Sequence, residues 1–539
     1  MLFHYAVTDT TITLYWEKPE ELSGEICYEI YVEGVFSAKR SKTHFTLENL
    51  APDKEYEVEI YAKPVDTASD KKADEETADS VKNEAPESTP GNGPEASDSL
   101  HASCRIRTAK RRRRLDITKA PYFAAGDGKT LNTRAIQKAL EDCGENAAVY
   151  VPAGVFLTGA LRLNSNTELY LEEGAVIQGT ANPADYLPRI PSRFEGLEME
   201  CYSSLLNMGR LDHTKEPDCE NILIHGKGTI ASGGRALAEA VISAEKERLA
   251  DFLAGLSEEQ KKEYEKPETI PGRVRPRLIN VSNCKNVRIS GLALENGASW
   301  NVHMIYSKGI LTDNCTFFSK NVWNGDGWDP DSSENCTIFG CVFRTGDDSI
   351  AIKSGKNPEG NVIGRPCRGI RIFDCVCEAG HGITIGSEMS GGVSDVKIWD
   401  CDLSGGCYGL EVKGTKKRGG YVRDVQVRDS VLPRILFHAV DYNDDGIGAE
   451  KPPVFESCHF ENVRVLGRYA DRDSGEVKDC AGIELRGFDE PGHEIRDVLF
   501  KNVRISGGQG QACGIVMENC EDVRFEEVRV EEGVSHGII

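Results

Sequence analysis

One short phrase recurs along the second half of the chain, and it constrains the fold more than any other feature. Each copy has an apolar residue, a polar residue and a second apolar residue, often followed by Asp-Cys or Ser. The copies lie at 287–290, 370–375, 396–401, 425–430, 503–506 and 523–525. Cys315 and Cys336 stand 21 residues apart, and Cys375 and Cys401 stand 26 apart. Self-similarity at this period is typical of a solenoid, in which each copy adds one coil to a stack.

The copies are rich in β-forming residues and contain neither helices nor leucine-rich spacing. They predict an all-β fold, a right-handed parallel β-helix over about residues 120–539. The repeated Asn, Asp and Cys positions are expected to stack in ladders from coil to coil. One segment breaks the pattern. Residues 233–267 place Ala, Glu, Lys and Leu at helical spacing, which predicts a helical insertion on a loop.

The first 63 residues alternate apolar and polar side chains in short runs separated by turn residues. This alternation predicts a small antiparallel β-sandwich. Residues 64–100 are rich in charged residues, Ser, Pro and Ala; they cannot bury enough surface to order themselves, so we expect a disordered loop. Residues 102–108 are interpreted as the last strand of the sandwich, after that loop. The predicted domain therefore covers 1–110, and residues 111–119 form a junction.

Charge and hydropathy exclude several classes of protein. The chain of 539 residues has a formal net charge of −23, which disfavours a nucleic acid partner because phosphate binding needs a basic surface. The basic run at 110–114 is interpreted as a solvated hinge. No stretch approaches the ~20 apolar residues that span a bilayer, so no membrane partner is expected. The first residues lack the basic and apolar regions of a secretory signal, and we expect a cytoplasmic location.

The 18 cysteines are interpreted as small buried residues of strands that stay reduced in such a compartment. Cys375-Val376-Cys377 does not have the spacing of a zinc knuckle, and no group of His and Cys has ligand spacing. No bound metal is therefore expected.

Aspartates and glycines cluster in one zone of the repeats. Asp326 lies in an Asn-Gly-Asp triplet, and Asp347 and Asp348 end a Gly-Asp-Asp triplet. Asp326 and Asp347 are 21 residues apart, about one coil, so they should lie on the same face of neighbouring rungs. Carboxylates crowded in this way perturb each other's pKa, so that one keeps its proton while another is ionised. Glycoside hydrolysis requires that division of roles.

The next predicted rungs carry Gly380-His381-Gly382 and then Glu411 and Lys413. Small glycine neighbours leave His381 exposed, which suits proton transfer better than core packing. Asp-Gly pairs are also frequent turn formers, so each motif alone has a purely structural reading. All four groups in order, on consecutive predicted rungs, favour a catalytic site.

With these four groups, about 420 residues of the chain resemble the polygalacturonase-type glycoside hydrolases, family twenty-eight. The family's motifs Asn-Thr-Asp, Gly/Gln-Asp-Asp, Gly-His-Gly and Arg-Ile-Lys correspond here to 324–326, 346–348, 380–382 and 411–413. The first domain resembles a fibronectin type III module, in which Trp16 closes an early strand and 50–56 forms a leucine-to-tyrosine corner. Such a module with long insertions, here 233–267 and 355–369, resembles the bacterial exo-acting members, whose insertions close one end of the groove.

The resemblance implies an inverting hydrolase of α-1,4-galacturonide bonds in pectic oligosaccharides, acting from a chain end without a cofactor or catalytic metal. Asp347 would be the general acid. Asp326 and Asp348 would hold the attacking water and act as base. His381 would tune the protonation of the acid, and Lys413 would bind a substrate carboxylate.

The other residues expected at the substrate are Asn324, Gly382, Glu411, Trp300, His303 and Lys353. Glu411 replaces the family's arginine, and its carboxylate would repel a galacturonate unless a cation such as Lys353 or Lys413 compensates. Trp300 and His303 lie in a segment that resembles the groove wall, where Trp300 either stacks on a sugar or belongs to the core. Glu411 also favours an alternative pectic substrate, such as rhamnogalacturonan. The remaining alternatives are a non-catalytic carbohydrate-binding solenoid and a calcium-dependent pectate lyase.

Overall fold

A computed structural model describes residues 2–20, 22, 24–65, 100–262, 274–440, 447–471, 474–506 and 514–531. Nearly all of the loop expected to be disordered, 64–100, and the end of the predicted insertion, 263–267, lie outside the described residues. The chain divides into two compact units, Met1–Arg113 and Arg114–Ile539. The division falls within the expected junction, 111–119.

The first unit is a sandwich of two antiparallel sheets. The smaller sheet consists of Phe3–Val7, Ile12–Trp16 and His44–Leu47. The larger sheet consists of Ile26–Val32, Val35–Arg40, Glu55–Pro64 and Leu100–Arg107. Trp16 and Tyr28 pack edge to face in the core between them. Leu100–Arg107 is the predicted last strand, and the Tyr56 hydroxyl accepts a 2.9 Å hydrogen bond from the Ala51 amide at the predicted corner.

The second unit is a parallel β-helix built from three long sheets. The strands of the first sheet are Arg113–Asp116, Ala147–Val151, Glu168–Leu171, Cys219–Gly226, Cys284–Ser290, Lys308–Asp313, Glu334–Phe339, Cys367–Phe373, Val393–Trp399, Tyr421–Arg428, Val454–Glu461, Ile495–Lys501 and Cys520–Glu526. Those of the second are Asp127–Leu131, Gly154–Thr158, Ala175–Gly179, Thr229–Ala231, Ala293–Glu295, Thr316–Phe318, Val342–Arg344 and Val376–Ala379, followed by the separate ladder Val431–Leu432, Arg464–Val465, Arg504–Ile505 and Arg529–Val530.

The third sheet carries the motif residues and is called the site sheet. Its strands are Leu161–Leu163, Leu206–Gly209, Ile279–Ser282, Val302–Ile305, Trp328–Asp331, Ile350–Ile352, Gly382–Ile385, Gly409–Gly414, Arg434–Ala439, Ile483–Arg486 and Ile515–Glu518. Alternate side chains point into the β-helix, where Val302, Ile350 and Ile383 stack in one apolar core. Strand alternation then directs the intervening side chains outward.

Helices and hairpins are attached to these coils. The α-helices are Thr133–Asp142, Gly234–Arg248, Ala250–Ala254, Glu258–Lys262 and Glu359–Ile363, and Pro183–Tyr186 is a 3-10 turn. Two antiparallel hairpins pair Ile190–Phe194 with Leu197–Cys201 and Arg468–Ala470 with Val477–Asp479. The segment expected to be a helical insertion, 233–267, thus contains three helices in its described part.

The recurring Asp-Cys phrase has a direct structural reason. Asp374 and Asp400 adopt a left-handed backbone conformation, with φ of 48° and 55°, which Asn and Asp tolerate better than most residues. The residue after each of them turns inward, and Cys375 and Cys401 are buried free thiols. The polar residue makes the corner of the coil, and the cysteine fills the space behind that corner.

Candidate active site

Consecutive strands of the site sheet bring the motif residues together. Asp326 stands two residues before one strand, Asp347 and Asp348 stand just before the next, and His381 stands just before the third. These three strands are neighbours in the parallel site sheet. Because parallel strands place equivalent positions side by side, the four side chains lie together at the N-terminal ends of these strands.

His381 links two of the carboxylates. Its Nδ1 lies 2.9 Å from Asp347 Oδ1 and 3.0 Å from Asp348 Oδ1. Burial lowers the pKa of His381, but the hydrogen bonds and charges of the two carboxylates outweigh burial and raise that pKa to about 11. The imidazole is therefore protonated at neutral pH and donates its Nδ1 proton towards both carboxylates.

Asp348 is buried and ionised. Its Oδ1 also accepts a 2.8 Å hydrogen bond from Thr384 Oγ1. Burial raises the pKa of Asp348, but the charge of Lys413 and the hydrogen bond from His381 hold it below its ordinary value. The Asp347 side chain is 23% exposed and that of Asp348 is 8% exposed. Asp347 is thus the carboxylate that a substrate reaches more directly.

The pKa of Asp326 is shifted in the opposite direction to that of Asp348. Burial raises the pKa of Asp326 to about 8, although Lys353 Nζ lies 3.1 Å from its Oδ2 and opposes the shift. Its Oδ1 has no hydrogen-bond partner among the described residues, and neither do the two oxygens of buried Asp329. Burial and the charge of Asp326 raise the pKa of Asp329 well above its ordinary value. The sequence interpretation, in which Asp326 and Asp348 hold the attacking water and act as base, stays a prediction.

Two motif residues shape the backbone of the site. Asn324 has a φ of 47°, and its Oδ1 accepts a 2.6 Å hydrogen bond from Arg275 Nη2. Gly382 has a φ of 106°, and a Cβ there would lie 2.5 Å from the Gly409 carbonyl oxygen on the next coil. Asn324 therefore fixes the turn before Asp326, and Gly382 allows close stacking beside His381. Direct contact of either residue with a substrate stays a prediction.

Glu411 is buried and holds two neighbours. Lys413 Nζ lies 2.9 Å from its Oε2, and His438 Nε2 lies 2.8 Å from its Oε1. Burial raises the pKa of Glu411, but Lys413 and His438 outweigh burial and lower it. The charge expected to conflict with an anionic substrate is thus compensated within the protein. Sequence reasoning missed His438, which lies on the next strand of the site sheet as the register partner of Lys413.

A hairpin that sequence reasoning also missed covers part of the site sheet. This cover hairpin comprises Ile190–Phe194 and Leu197–Cys201, joined by a two-residue turn in which Glu195 and Gly196 have positive φ. Arg193 Nη1 lies 2.7 Å from Asp331 Oδ1 on the site sheet. The sequence does contain a signal for this hairpin, because a Gly-containing two-residue turn between short alternating segments is typical of a hairpin.

The cover hairpin also contacts the 355–369 segment, which follows Asp347 and Asp348 along the chain. The Lys356 amide donates a 2.9 Å hydrogen bond to the Gly196 carbonyl oxygen. The Glu198 amide donates a 2.8 Å hydrogen bond to Glu359 Oε1 in the helix Glu359–Ile363. The hairpin therefore spans from the earlier strands of the site sheet to the 355–369 segment.

Trp300, His303 and Lys353 lie behind the carboxylates instead of forming an open groove wall. Trp300 is buried and stacks on Phe194 of the cover hairpin, with ring centroids 4.9 Å apart. Lys353 Nζ lies 4.1 Å from the Trp300 ring centroid, and it pairs with Asp326 rather than with Glu411. Trp300 thus takes the core position of the two alternatives, and the hairpin keeps it from a sugar.

His303 is fully buried. Its Nε2 lies 3.3 Å from Asp331 Oδ2, and burial lowers its pKa to about 3. The side chain is therefore neutral and has no exposed surface. This position differs from the substrate contact expected from the sequence, because that expectation left out the cover hairpin.

Asp347, Asp348 and His381 also form a group that could hold a metal ion, since their ligand atoms lie within 4.8 Å of one another. The hydrogen bonds of the protonated imidazole account for the same geometry without an ion.

Among the described residues, no helix is long and apolar enough to cross a membrane.

Comparisons with known proteins place both units in families. The description "Glycosyl hydrolases family 28" matches residues 217–450, and "Fibronectin type III domain" matches residues 2–77. The whole chain is similar in fold to a family 28 exopolygalacturonase of Yersinia enterocolitica. That likeness has a TM-score of 0.78 and 22% identity, and it covers 99% of this chain and 97% of the other.

Three curated relatives agree with this assignment. An exo-poly-alpha-D-galacturonosidase of Dickeya chrysanthemi is 26% identical over 531 residues, 93% of this chain and 85% of the relative. A probable polygalacturonase of Vitis vinifera is 32% identical over 58% of this chain, which spans 59% of that relative's length. An endo-polygalacturonase of Pectobacterium carotovorum subsp. carotovorum is 31% identical over 56% of this chain and 69% of the relative. With its motif residues gathered on one sheet of a parallel β-helix, this chain belongs to glycosyl hydrolase family 28.

Proposed function

We propose that this glycoside hydrolase cleaves α-1,4-galacturonide bonds of pectic oligosaccharides with inversion at the anomeric carbon. The observation that carries the proposal is the sharing of one protonated imidazole by two carboxylates of different exposure. His381 bonds both Asp347 and Asp348, so one carboxyl can face the leaving oxygen while the other stays ionised. Lys413, on the same sheet, supplies positive charge for an anionic sugar.

The proposed reaction is a single displacement. Asp347 donates a proton to the glycosidic oxygen as the bond to the anomeric carbon breaks. Asp348, ionised by its cationic neighbours, accepts a proton from the water that attacks the opposite face of the sugar. The product is a hemiacetal of inverted configuration, and the acid and base are restored by exchange with solvent.

Asp326 has a part in this reaction that differs from that of Asp348. With a pKa raised to about 8, it carries a proton at neutral pH, and its unpartnered Oδ1 can bind the water without removing the proton. We therefore assign water positioning to Asp326 and the base role to Asp348. Asp326→Asn, which preserves the shape of a protonated carboxyl, should retain more activity than Asp348→Asn.

We further propose that the enzyme acts from a chain end. The cover hairpin lies over the earlier strands of the site sheet through Arg193 and reaches the 355–369 segment through Gly196 and Glu198. A groove covered at one end accepts a terminus better than the middle of a long chain. The names of the Dickeya and Yersinia relatives, both exo-acting, support the same mode of action.

The test is the product profile over time on a defined galacturonate oligomer. Exo action releases one small product from the first time point and lowers polymer viscosity slowly, whereas endo action gives a ladder of sizes. Replacing residues 191–200 with a short Gly-Ser linker should shift the wild-type pattern towards the ladder. If the enzyme releases no galacturonate from any oligomer, the proposed function is wrong.

Glu411 favours a second candidate, hydrolysis of rhamnogalacturonan or a related pectic structure. It places a carboxylate where the family motif has arginine, which alters the charge seen by the sugar. The same assay on rhamnogalacturonan oligomers separates the candidates, because only one substrate should be cleaved with high kcat/KM.

A cytoplasmic location also remains our proposal. Buried free thiols such as Cys341 and Cys375 are consistent with a reducing compartment. Cell fractionation tests it.

A further inference from the structure

We propose that Arg235 is a substrate-binding residue that takes the carboxylate of a galacturonate unit, and that Trp323 is the positioning residue that holds its guanidinium beside the active site. The inference rests on the proposed function, because it names a further residue through which that site recognises an acidic sugar. It also gives a role to the helical insertion, which the proposed reaction leaves unused.

The backbone around Trp323 is fixed next to the cover hairpin. Arg275 Nη1 donates a 2.9 Å hydrogen bond to the Trp323 carbonyl oxygen, and Nη2 donates one of 2.6 Å to Asn324 Oδ1. The Arg275 guanidinium carbon in turn lies 5.8 Å from the Phe194 ring centroid in the cover hairpin. The loop that contains Trp323 therefore borders the covered end of the site sheet.

The same loop packs against the proposed acid on its other side. The Gly346 amide donates a 3.3 Å hydrogen bond to the Gly325 carbonyl oxygen. A Cβ on Gly346 would clash with the Val322 carbonyl oxygen, so the two backbones are in close contact. Because Asp347 follows Gly346 directly, a ligand group held on this loop lies one loop away from the proposed acid.

Arg235 reaches this loop from the helical insertion. It stands in the first turn of the helix Gly234–Arg248, in the connection from the second sheet to the site sheet two coils before that of Trp323. Its guanidinium carbon lies 4.0 Å from the Trp323 ring centroid, a distance at which the face of an indole attracts a cation. Trp323 therefore holds this cation over the loop that adjoins the acid.

Both members of the pair are accessible. The Arg235 side chain is 50% exposed, and Trp323 is partly exposed. The other four tryptophans are at most 4% exposed: Trp16, Trp300, Trp328 and Trp399. A ligand can therefore reach Arg235 from solvent, and Trp323 can report its arrival.

Arg235 keeps donors for a carboxylate. Its Nε donates a 3.0 Å hydrogen bond to Glu239 Oε1, whereas Nη1 and Nη2 make no hydrogen bond within the described part of the chain. The Glu239 side chain is 56% exposed, and ion pairs so exposed are weak. An arginine is always charged, and its two terminal nitrogens match the two oxygens of a carboxylate.

The charge of the protein explains why such a cation matters. A net charge of −23 repels an acidic oligosaccharide, so a local cation has to attract it. Lys353 and Lys413 lie nearer the reacting groups, but each pairs with a buried carboxylate. Arg235 has only an exposed partner, so its charge is available to an approaching substrate.

The first experiment is steady-state kinetics of the full chain on oligogalacturonate at low and at high salt. Arg235→Gln should raise KM about tenfold at low salt, as expected for loss of a hydrogen bond to a charged group, while kcat changes less than about threefold. The effect should shrink at high salt, because salt screens an exposed contact. Arg235→Lys should raise KM less, since lysine keeps the charge but loses the fork.

Arg423→Gln is the matched control for Arg235→Gln. Arg423 is 48% exposed, pairs with Asp424 and lies 4.4 Å from the Tyr421 ring centroid on the first sheet. Its replacement removes the same kind of cation from an aromatic ring away from the site sheet. It should leave KM and its salt dependence unchanged.

Trp323→Leu tests the positioning role. It removes the ring beneath the cation, so KM should rise about threefold or more. Adding Arg235→Gln to it should raise KM no further than Arg235→Gln alone, because both changes remove one contact. Trp323→Phe keeps an aromatic face and should restore most of the wild-type KM. A merely structural role would lower the melting temperature and leave the salt dependence of KM as in wild type.

Fluorescence gives a second measurement that does not depend on turnover. Acrylamide should quench mainly Trp323, because the other tryptophans are buried. Trigalacturonate bound to the Asp347→Asn protein should reduce this quenching. Adding Arg235→Gln should abolish the reduction at the same concentration of trigalacturonate.

The outcomes separate this contact from the proposed function. If wild type cleaves oligogalacturonate and Arg235→Gln keeps the wild-type KM at low salt, Arg235 does not bind the substrate and the function stands. A rise in KM that is equal at low and high salt, or a loss of kcat with unchanged KM, also overturns the role of Arg235. If wild type cleaves no galacturonate oligomer, the proposed function itself is wrong.

Discussion

Two regions of the site sheet alternate inward and outward side chains in the same way, but their outward side chains differ in solvent exposure. In the covered region, strands Ile279–Ser282, Val302–Ile305 and Trp328–Asp331, the outward side chains Asn280 and His303 are buried under the cover hairpin. The open region consists of strands Ile350–Ile352, Gly382–Ile385, Gly409–Gly414 and Arg434–Ala439 with the residues just before them. There the Asp347, Lys413 and His438 side chains are 23%, 15% and 25% exposed, although Thr384 and Glu411 are buried. The difference arises from an added hairpin, since the coils themselves are alike.

The outward side chains of the two regions therefore have different roles. In the covered region, Arg193 and Asp331 form a buried ion pair, whereas both oxygens of Asp329 lack a hydrogen-bond partner among the described residues. In the open region, the Asp347 carboxylate keeps part of its surface exposed and so retains acceptors for a ligand. Buried charges must be paired to be tolerated, whereas partly exposed ones remain available for chemistry.

The largest expected effect is in the open region, at the proposed acid. Asp347→Asn removes the transferable proton but keeps the shape of the side chain, so kcat should fall about 10²- to 10⁴-fold with little change in KM. Initial rates on oligogalacturonate measure it. Asp395→Asn is the control, because Asp395 forms an ion pair with Arg371 on the first sheet and should leave kcat unchanged. Retention of wild-type kcat by Asp347→Asn would falsify the acid assignment.

The next effect concerns the covered region. Arg193→Met leaves the Asp331 carboxylate buried without its ion pair, which should lower the free energy of unfolding by about 3–5 kcal/mol. Burial raises the pKa of Asp331, but Arg193 and His303 outweigh it and lower the pKa to about 2. The loss should therefore be complete above the unfolded pKa of about 3.9 and shrink as pH falls towards 2.

Urea unfolding at several pH values measures this prediction. Arg371→Met is the control, because its partner Asp395 is half exposed and such pairs contribute about 0–1 kcal/mol. Equal losses for the two variants would mean that the cover hairpin is not held by a buried charge.

Protonation of His381 should have a smaller effect on the free energy of unfolding. This contribution should decrease as pH rises, whereas that of Arg193 and Asp331 decreases as pH falls. Its pKa is raised to about 11 in the folded protein from about 6.5 in an unfolded chain. The stability that it contributes is fully present below pH 6.5 and is lost as pH rises through 11. Hydrogen bonds to charged groups contribute about 1.5–3 kcal/mol, so wild type should exceed His381→Asn by that amount at pH 6. Melting temperatures of both proteins from pH 6 to pH 10 should converge; a constant gap would contradict the raised pKa.

The coils of the β-helix were predictable because their signals are local. Each corner needs a residue that tolerates positive φ, and Asp374 and Asp400 supply it next to an inward cysteine. The spacing of Asp326 and Asp347 followed from the same period, since one coil returns the chain to the same face. Such features depend on a few consecutive residues and on coil length, which a sequence displays directly.

The cover hairpin and the Glu411 bridge depend on contacts that no local pattern contains. Arg193 meets Asp331 across 138 residues, and His438 meets Glu411 across 27. The position of a hairpin above a sheet depends on its connections and packing, so the burial of His303 could not be foreseen. Glu411 was recognisable as a departure from the family motif, but its compensation required the register of the next strand.

The smallest expected effect is that of a chelator on the open region. Asp347, Asp348 and His381 have the geometry of a possible metal site, yet a protonated His381 donates a hydrogen bond and cannot use Nδ1 as a ligand. Incubation with EDTA followed by assay in metal-free buffer should therefore leave kcat on oligogalacturonate within error of the untreated enzyme. Calcium addition should change nothing, and products should lack ultraviolet absorbance from an unsaturated sugar. Activity that is lost with EDTA, restored by calcium and accompanied by such absorbance would instead assign a lyase. The shared imidazole would then be a ligand in the open region, and its raised pKa would no longer describe the working enzyme.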